Sequence, residues 1–240
     1  MTVEFCIPVY NEEKIIEKNI MLLYDYCQSQ NFQFSWKIIL INNGSTDATE
    51  TICKKLSNDK ILIENILLAG KGRALKTYWK KSNAEILVYM DCDLAVALNN
   101  IPDLLSPLLE KDYDLVIGSR MLPDSKTKRP FLRELSSQTF NFLSRIILRH
   151  NFTDSQCGFK AFKKEVVEKV GPFILDNKWY FDQELIIFAN FFKFRIKEIP
   201  VDWRENRYDE RKTKVKMIRD GIIFIRKLIN LKIRLSKLKK

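Results

Sequence analysis

The sequence predicts an α/β fold in which a mostly parallel sheet is flanked by helices on both faces. In the first 120 residues, short apolar runs typical of buried strands alternate with longer stretches of helical periodicity. Each apolar run is followed by polar or glycine-rich residues. The chain has 240 residues, of which 46% are hydrophobic and 30% charged, which suits one domain with a sizeable core and excludes a disordered chain.

Five strands are predicted from short runs that are rich in β-branched and aromatic residues. These runs are Val3–Val9, Lys37–Ile41, Ile61–Leu67, Ile86–Met90 and Leu115–Ile117. Amphipathic helices are predicted between them, at Glu12–Cys27, Thr46–Leu56, Gly70–Lys80 and Asn99–Leu109. Strand–helix alternation predicts parallel pairing, and ligands of such sheets bind beyond the carboxyl ends of the strands. Functional residues are therefore expected directly after each strand.

The formal net charge of +11 is concentrated at one end of the chain. Residues 211–240 contain 12 of the 41 Lys and Arg residues and one of the 30 acidic residues, so they carry the whole excess. A basic segment of this kind predicts contact with an anionic membrane surface or a nucleic acid. The segment has no aromatic residue after Phe224 that could stack on bases, so we expect no nucleic-acid partner.

Residues 211–240 are predicted to form a basic amphipathic helix, and residues 133–149 show a similar pattern. In the first of these, Ile222, Ile225 and Ile229 lie on one apolar stripe, while the basic residues favour other faces. Such a helix can lie in the headgroup region of an anionic bilayer. The alternative is a terminal helix whose apolar stripe docks on the protein body.

The cysteine pattern favours a reducing compartment. The five cysteines are scattered and show no C-x-x-C spacing, so a disulfide framework or a structural zinc site is not expected. The sequence shows no secretory signal pattern and no run of about 18 apolar residues, so we expect a cytoplasmic protein without membrane spans. His150, the one histidine, is expected at the surface.

Two carboxylates, Asp91 and Asp93, follow the fourth predicted strand on either side of Cys92. In an extended chain, alternation sends both side chains to the same side. There they could hold Mg²⁺ or Mn²⁺, with diphosphate oxygens and water as the remaining ligands. A capped turn with two solvated acids would give the same pattern.

The segment Gly70-Lys-Gly-Arg opens the third predicted helix. It could direct backbone N–H groups and cations at a phosphate, as helix N-termini do. It could equally be a flexible turn before the helix. It is not a P-loop, because the G-x-x-x-x-G-K-[ST] spacing is missing.

Seven short motifs occur in order over roughly residues 3–215. They are PVYNEE at 8–13, NNGSTD at 42–47, GKGRAL at 70–75, DCDL at 91–94, GSR at 118–120, DSQCGFKAF at 154–162 and WYFDQEL at 179–185. The ordered set resembles inverting glycosyltransferases of family 2, and within them the polyprenyl-phosphate (dolichol-phosphate) mannosyl- and glucosyltransferases. The resemblance implies a Rossmann-like GT-A catalytic domain over residues 1–210, followed by the basic helix at 211–240.

The resemblance implies a UDP- or GDP-linked sugar donor and a divalent metal held by Asp91 and Asp93. The nucleotide-sugar site it implies consists of Pro8, Tyr10, Asn11, Glu12, Asn42, Asn43, Lys71, Asp91, Arg204 and Lys212. Family members usually have Asp-Asp where this chain has Asn42 and Asn43. An amide both donates and accepts hydrogen bonds, so the identity of the base stays open. Relatives that transfer mannose often have Gln where this chain has Ala95, so water would replace one metal ligand.

The implied acceptor is a polyprenyl phosphate. Its phosphate is already anionic at neutral pH, so it needs positioning and charge neutralisation more than a general base. By resemblance, Arg120, Arg133 and Ser137 bind this phosphate. Asp182 and Glu184 match a region that often holds an acidic catalytic residue. One of them would be the general base for a hydroxyl acceptor, whereas with a phosphate acceptor they would orient the arginines or the sugar hydroxyls.

The implied activity is inverting transfer of a sugar to a polyprenyl phosphate by an enzyme bound peripherally to the cytoplasmic membrane face. A membrane-spanning partner subunit could supply the spans that this chain lacks. Two alternatives remain open. The first is a family 2 glycosyltransferase acting on the hydroxyl group of a soluble glycan or polysaccharide, and the second is a non-enzymatic membrane adaptor on the same fold.

Overall fold

The computed structural model describes residues 1–128, 131–204 and 217–239, with side chains at all of these positions except 128, 131–133 and 217–222. The central sheet has seven strands, β1 (Thr2–Val9), β2 (Ser35–Asn43), β3 (Ile61–Ile66), β4 (Ile86–Met90), β5 (Leu115–Ser119), β7 (Phe159–Lys163) and β8 (Ile196–Pro200). A second sheet pairs β6 (Lys126–Lys128) with β9 (Asp202–Arg204).

Eight α-helices accompany these strands in the described part of the chain. They are α1 (Ile16–Ser29), α2 (Thr49–Leu56), α3 (Lys71–Lys81), α4 (Ile101–Leu109), α5 (Phe131–Leu148), α6 (Lys164–Val170), α7 (Phe181–Phe191) and α8 (Met217–Leu238). In α1, the fully buried Ile16, Ile20 and Leu23 recur at helical spacing. Helices pack against both faces of the sheet, with α1 and α4 on one face and α3, α6 and α7 on the other.

The seven strands follow the order β3-β2-β1-β4-β7-β5-β8. All neighbouring pairs are parallel except those of β7, which is antiparallel to both β4 and β5. This arrangement confirms the predicted mostly parallel sheet covered on both faces. It also brings the carboxyl ends of β1, β2 and β4 to one edge, where the motif residues follow them.

The predicted helix starts were too early by one to four residues. The chain between β1 and α1 first makes a turn, in which Ile15 N and Ile16 N both donate to Glu12 O. Before α2, Asp47 Oδ1 accepts a hydrogen bond from Thr49 N at 3.0 Å. Glu12 O and Asp47 Oδ1 thus close turns just before the two helices, because an acceptor that binds a nearby backbone N–H group favours a turn over extension of the helix.

His150 is buried, so the expectation of a surface position was wrong. Its Nε2 is hydrogen-bonded to Ser144 Oγ at 2.8 Å, and its Nδ1 accepts a hydrogen bond from Phe152 N at 3.2 Å. With both ring nitrogens satisfied, the neutral imidazole can be buried at little cost. Burial, with a smaller contribution from Arg145, lowers the pKa of His150 to about 4.

The predicted C-terminal helix forms over α8, while residues 211–216 lie outside the described residues. Leu228 and Leu231 are wholly buried against the body, as the docked-helix alternative requires. Other apolar residues of α8 remain exposed, and Ile229, for example, keeps 50% of its surface accessible to solvent. In the parts of the chain that the structure describes, no helix combines the length and the apolar character that a membrane span requires.

Candidate functional site

A cavity of about 410 Å³ lies at the carboxyl ends of β1, β2 and β4. Its lining comprises Pro8, Val9, Tyr10, Glu12, Asn43, Ala69, Gly70, Lys71, Asp91, Cys92, Asp93, Lys178 and Trp179. Seven of the sequence-predicted site residues are among them. These seven predicted residues are up to 85 positions apart in the chain, from Pro8 to Asp93, and the structure brings them together.

Asn11 and Asn42 support the cavity wall from behind. Asn11 has a positive φ of 51° and accepts a hydrogen bond from Thr46 N at 2.8 Å, which ties the loop after β1 to the loop after β2. Asn42 Nδ2 donates to Asn65 Oδ1 at 2.9 Å, and Asn42 Oδ1 accepts from Ser45 N at 3.3 Å. Both amides hold the turns that position their neighbours.

Asn43 does line the cavity, and one hydrogen bond fixes its amide. Its Oδ1 accepts from Gly70 N at 2.7 Å, so the oxygen faces the loop before α3. Its Nδ2 makes no hydrogen bond to any residue that the structure describes. A ligand in the cavity would therefore meet an amide donor at Asn43, where a carboxylate would present an acceptor.

Lys71 places a positive charge beside the carboxylates. Its Nζ lies 2.5 Å from Asp91 Oδ1, and it is 5.0 Å from the ring centroid of Tyr89 and 4.7 Å from that of Trp179. The two rings favour the cation through their π-systems and limit its movement. The side chain is 11% exposed, so the charge is partly desolvated and acts strongly on an anion in the cavity.

The backbone N–H groups of Gly72 and Arg73, at the start of α3, are not available to a phosphate. Gly72 N donates to Lys178 O at 3.0 Å, and Arg73 N donates to Asn177 O at 3.1 Å. The loop before α7 can approach this closely because Gly72 has no side chain, and a Cβ there would lie 2.8 Å from Phe181 Cβ. The segment lines the cavity with Gly70 and contributes one charged group to it, the Lys71 side chain.

Asp91 and Asp93 both line the cavity, but the chain between them is a turn, in which Leu94 N donates to Asp91 O at 3.1 Å, and not the extended chain that the sequence argument assumed. Asp93 Oδ1 accepts a hydrogen bond from Ala95 N at 3.3 Å, and Asp91 bonds to Lys71. Among the described residues, no cluster of three or more His, Cys, Asp or Glu side chains is available to hold a metal. Two carboxylates fit a hard divalent cation that takes its other ligands from a bound diphosphate and water.

Gly158 gives Asp91 the room it occupies, a role that the motif alone did not reveal. A Cβ at this position would lie 2.2 Å from Asp91 Oδ2. A small cavity nearby is also lined by Asp91 and Gly158, together with Trp203. The backbone that leads into the antiparallel strand β7 thus packs directly behind the carboxylate.

Arg120 is held in a bidentate ion pair with Asp154. Its Nε lies 2.6 Å from Asp154 Oδ2, and its Nη2 lies 2.9 Å from Asp154 Oδ1. Burial opposes ionisation of the carboxyl, but Arg120 overcomes it and lowers the pKa of Asp154. Arg120 therefore lies outside the cavity lining, with its guanidinium fixed at the end of β5 and 5.8 Å from the Trp203 ring.

Asp182 and Glu184 begin α7 and are both 3% exposed, outside the cavity lining. Asp182 Oδ1 lies 2.6 Å from Nζ of the wholly buried Lys160. Burial raises the pKa of Asp182, against the opposing effect of Lys160. Glu184 accepts a hydrogen bond from Asp176 N and forms an ion pair with Arg234 of α8. Both carboxylates are therefore engaged by buried or half-buried cations outside the cavity lining.

The remaining predicted residues do not join the cavity in the described part of the chain. Ser137 is half-buried on α5, and Arg204 is exposed at the end of β9. The Arg133 side chain and the whole of Lys212 lie outside the described residues. Lys178 and Trp179, which sequence reasoning did not select, do line the cavity. The WYFDQEL motif was the available signal, because it begins at Trp179.

Residues 4–171 match the family model described as Glycosyl transferase family 2. Glycosyltransferase AglD of Haloferax volcanii is 33% identical over 221 residues, which cover 91% of this chain and 35% of the relative. The human dolichyl-phosphate beta-glucosyltransferase is 28% identical over 214 residues, which cover 83% of this chain and 66% of the relative. The chain thus spans about a third of the archaeal relative and just under two thirds of the human one.

Solved structures show the same fold at low sequence identity. Glucosyl-3-phosphoglycerate synthase from Mycobacterium tuberculosis in complex with UDP is similar with a TM-score of 0.70 and 18% identity. The match covers 98% of this chain and 79% of that chain. Another structure of the same enzyme, with a TM-score of 0.68 and 18% identity, holds Mn²⁺, UDP and glucosyl-3-phosphoglycerate, and covers 98% of this chain and 79% of that one.

Proposed function

Because the chain belongs to glycosyl transferase family 2, we propose that it transfers a sugar from a nucleotide-diphosphate sugar to a polyprenyl phosphate, with inversion at the anomeric carbon. One observation carries the proposal: Asp91, Asp93 and Lys71 meet in a cavity at the carboxyl ends of parallel strands. The two carboxylates can accept hydrogen bonds from ribose hydroxyls and bind a cation, and the ammonium group of Lys71 can bind a diphosphate. Relatives named dolichyl-phosphate beta-glucosyltransferases support a lipid phosphate as the acceptor, rather than the hydroxyl group of a glycan.

The donor is a UDP- or GDP-linked sugar. The names of the eukaryotic relatives and the UDP held in the mycobacterial structures support UDP-glucose as the first donor to test. Asn43 offers its amide N–H groups to the cavity, so we expect the base to present an acceptor atom there. Tyr10 and Pro8 line the same end of the sheet and supply apolar surface for the base.

Asp91 and Asp93 are the ligands we assign to Mg²⁺ or Mn²⁺. When bound, such a cation stabilises negative charge on the diphosphate that leaves. Lys71 adds a second positive charge, which the Tyr89 and Trp179 rings keep beside Asp91. The neighbouring structures that hold Mn²⁺ with UDP support the use of a divalent metal.

The acceptor phosphate carries its own nucleophilic oxygen, so the proposal requires no general base. This agrees with the buried contacts of Asp182 and Glu184, which are bonded to Lys160 and Arg234. Arg120 can bind the acceptor with the N–H groups that Asp154 does not use, because a guanidinium has five donors. Arg133 and Ser137, at the start of α5, stay proposed acceptor ligands.

Peripheral attachment to a membrane is part of the proposal. The helices α5 and α8 pack side by side, with the Phe140 and Phe224 rings 5.4 Å apart. Both leave large apolar side chains 41–58% exposed, namely Leu135, Phe142, Ile146, Ile225, Ile229, Ile233 and Leu238. Basic residues lie among them, including Arg145 and the exposed Lys232. Apolar and basic side chains on one helix pair suit the headgroup region of an anionic bilayer.

A transfer assay tests the proposed function. Purified protein with Mn²⁺ or Mg²⁺ is incubated with a short polyprenyl phosphate and, in turn, UDP-glucose, other UDP-sugars and GDP-mannose. We expect a lipid-linked sugar from one donor, and loss of this product in Asp93→Ala. Asp103→Ala is the matched control, because Asp103 is an exposed acid on α4 outside the cavity lining. Full activity of Asp93→Ala would contradict the assignment of Asp93 as a metal ligand. If the wild-type protein forms no product with any of the donors, the proposed function is contradicted.

A further inference from the structure

The segment between α6 and α7 supplies two side chains to the cavity from a distant part of the sequence. Lys178 and Trp179 line the cavity, and the Trp179 ring lies 4.7 Å from Lys71 Nζ. The segment has no regular secondary structure between the short 3₁₀ turn Gly171–Phe173 and the start of α7. Its position must therefore come from contacts with its neighbours.

Asp176 organises this segment from within. Its Oδ1 accepts hydrogen bonds from Lys178 N at 2.7 Å and from Tyr180 N at 3.1 Å, so the turn that precedes Trp179 is built around this carboxylate. On the other side, the carbonyl groups of Asn177 and Lys178 bond to the first N–H groups of α3. Any movement of Asp176 would therefore move the backbone that carries Lys178 and Trp179.

Two basic residues of α8 hold Asp176 in place. Lys227 forms an ion pair with Asp176 Oδ2 and lies 5.7 Å from the Tyr180 ring centroid. Arg234 forms an ion pair with Glu184 Oε1, while Glu184 Oε2 accepts from Asp176 N at 2.7 Å. The side chains of Asp176 and Glu184, taken without their backbone atoms, are 9% and 4% exposed. Carboxylates buried this far need charged partners, so loss of either cation would favour rearrangement of the turn.

We propose that Lys227 and Arg234 are positioning residues of the donor cavity, acting through Asp176 and Glu184 on Trp179 and Lys71. The basic C-terminal helix is thereby a structural part of the nucleotide site as well as the proposed membrane-facing element. The identity of the bound nucleotide rests on the proposed function. Two other cations of α8, Arg226 and Lys232, are exposed and form no ion pair with any described residue.

Nucleotide binding without lipid tests this inference in the 240-residue chain. Binding of UDP, and of GDP as a second probe, is measured by calorimetry with Mn²⁺ for Lys227→Met and Arg234→Met. We expect binding to weaken roughly tenfold in each, as for loss of a charge-assisted hydrogen bond. Lys232→Met and Arg226→Met remove the same charge from the same helix and should bind within about twofold of wild type. In turnover assays, the donor KM should rise while binding to anionic vesicles stays unchanged.

A double-mutant cycle tests whether Lys227 acts through Asp176, and thermal unfolding of each variant shows that the fold is kept. Asp176→Asn keeps the side-chain oxygen that accepts the turn N–H groups but removes the ion pair. We expect it to weaken nucleotide binding like Lys227→Met, and the double variant to be no weaker than either. If Lys227→Met and Arg234→Met bind nucleotide as tightly as the wild type, this inference is overturned while the proposed function stands. Additive effects in the cycle would overturn it in the same way. Absence of nucleotide binding by the wild type would instead contradict the proposed function.

Discussion

Gly158→Ala would push a methyl group into the carboxylate of Asp91. The added Cβ would lie 2.2 Å from Asp91 Oδ2 and 2.7 Å from its Cγ, whereas ordinary contact begins at 3.4 Å. Asp91, or the strand behind it, must therefore move by about 1 Å. A displacement of this size in a group that orients a substrate costs on the order of 10²-fold in turnover. The crowding should also lower the free energy of unfolding by about 1–3 kcal/mol.

The assay compares Gly158→Ala with Gly171→Ala. A Cβ at Gly171 would approach nothing closer than 3.9 Å, so this substitution adds the same methyl group without a clash. Sugar transfer and thermal unfolding are measured for both variants. We expect about a hundredfold loss of turnover in Gly158→Ala and near wild-type turnover in Gly171→Ala. Wild-type turnover in a folded Gly158→Ala would refute the requirement for Asp91 at its present position.

Three further predictions concern the pH response, the cavity charge and the membrane face. Because the pKa of His150 is about 4 in the fold and returns to its ordinary value of about 6.5 on unfolding, the unfolded chain takes up the proton first as pH falls. The free energy of unfolding should therefore drop by about 2 kcal/mol between pH 7 and 5. NMR of the folded protein checks this, and a His150 ring signal that titrates near pH 6.5 would contradict it. Lys71→Met should lower turnover roughly 10²-fold, and Lys80→Met, an exposed change on the same helix, should not. Ile229→Asp should weaken binding to anionic vesicles roughly tenfold, while Leu22→Asp, on the exposed face of α1, should leave it unchanged.

Alternation of apolar runs and helical patterns predicted five of the seven strands of the central sheet, but it missed β8 at the edge and β7 in the interior. Strand β7 lies between β4 and β5, although its sequence, Phe159-Lys-Ala-Phe-Lys, places lysines among apolar residues. Lys160 is wholly buried there because Asp182, 22 residues away, neutralises it. Burial of a lysine depends on a partner that local periodicity does not reveal.

The rule that ligands bind beyond the carboxyl ends of parallel strands was enough to find Asp91, Asp93 and Lys71. It could not show which polar groups are already engaged by other parts of the chain. The N–H groups at the start of α3 bond to the segment at 176–180, and the Arg120 guanidinium bonds to Asp154. Both contacts join residues that lie far apart in the chain, so no local spacing encodes them.

The most direct test of the proposed activity compares two acceptors that differ in one group. The 240-residue chain, with Mn²⁺ and its preferred nucleotide-sugar, is offered a short polyprenyl phosphate and the polyprenol of the same length. We predict that sugar is transferred to the phosphate, that the polyprenol is not glycosylated, and that the product has the anomeric configuration opposite to that of the donor. Transfer to the polyprenol or to a soluble glycan, with none to the phosphate, would contradict the proposed activity.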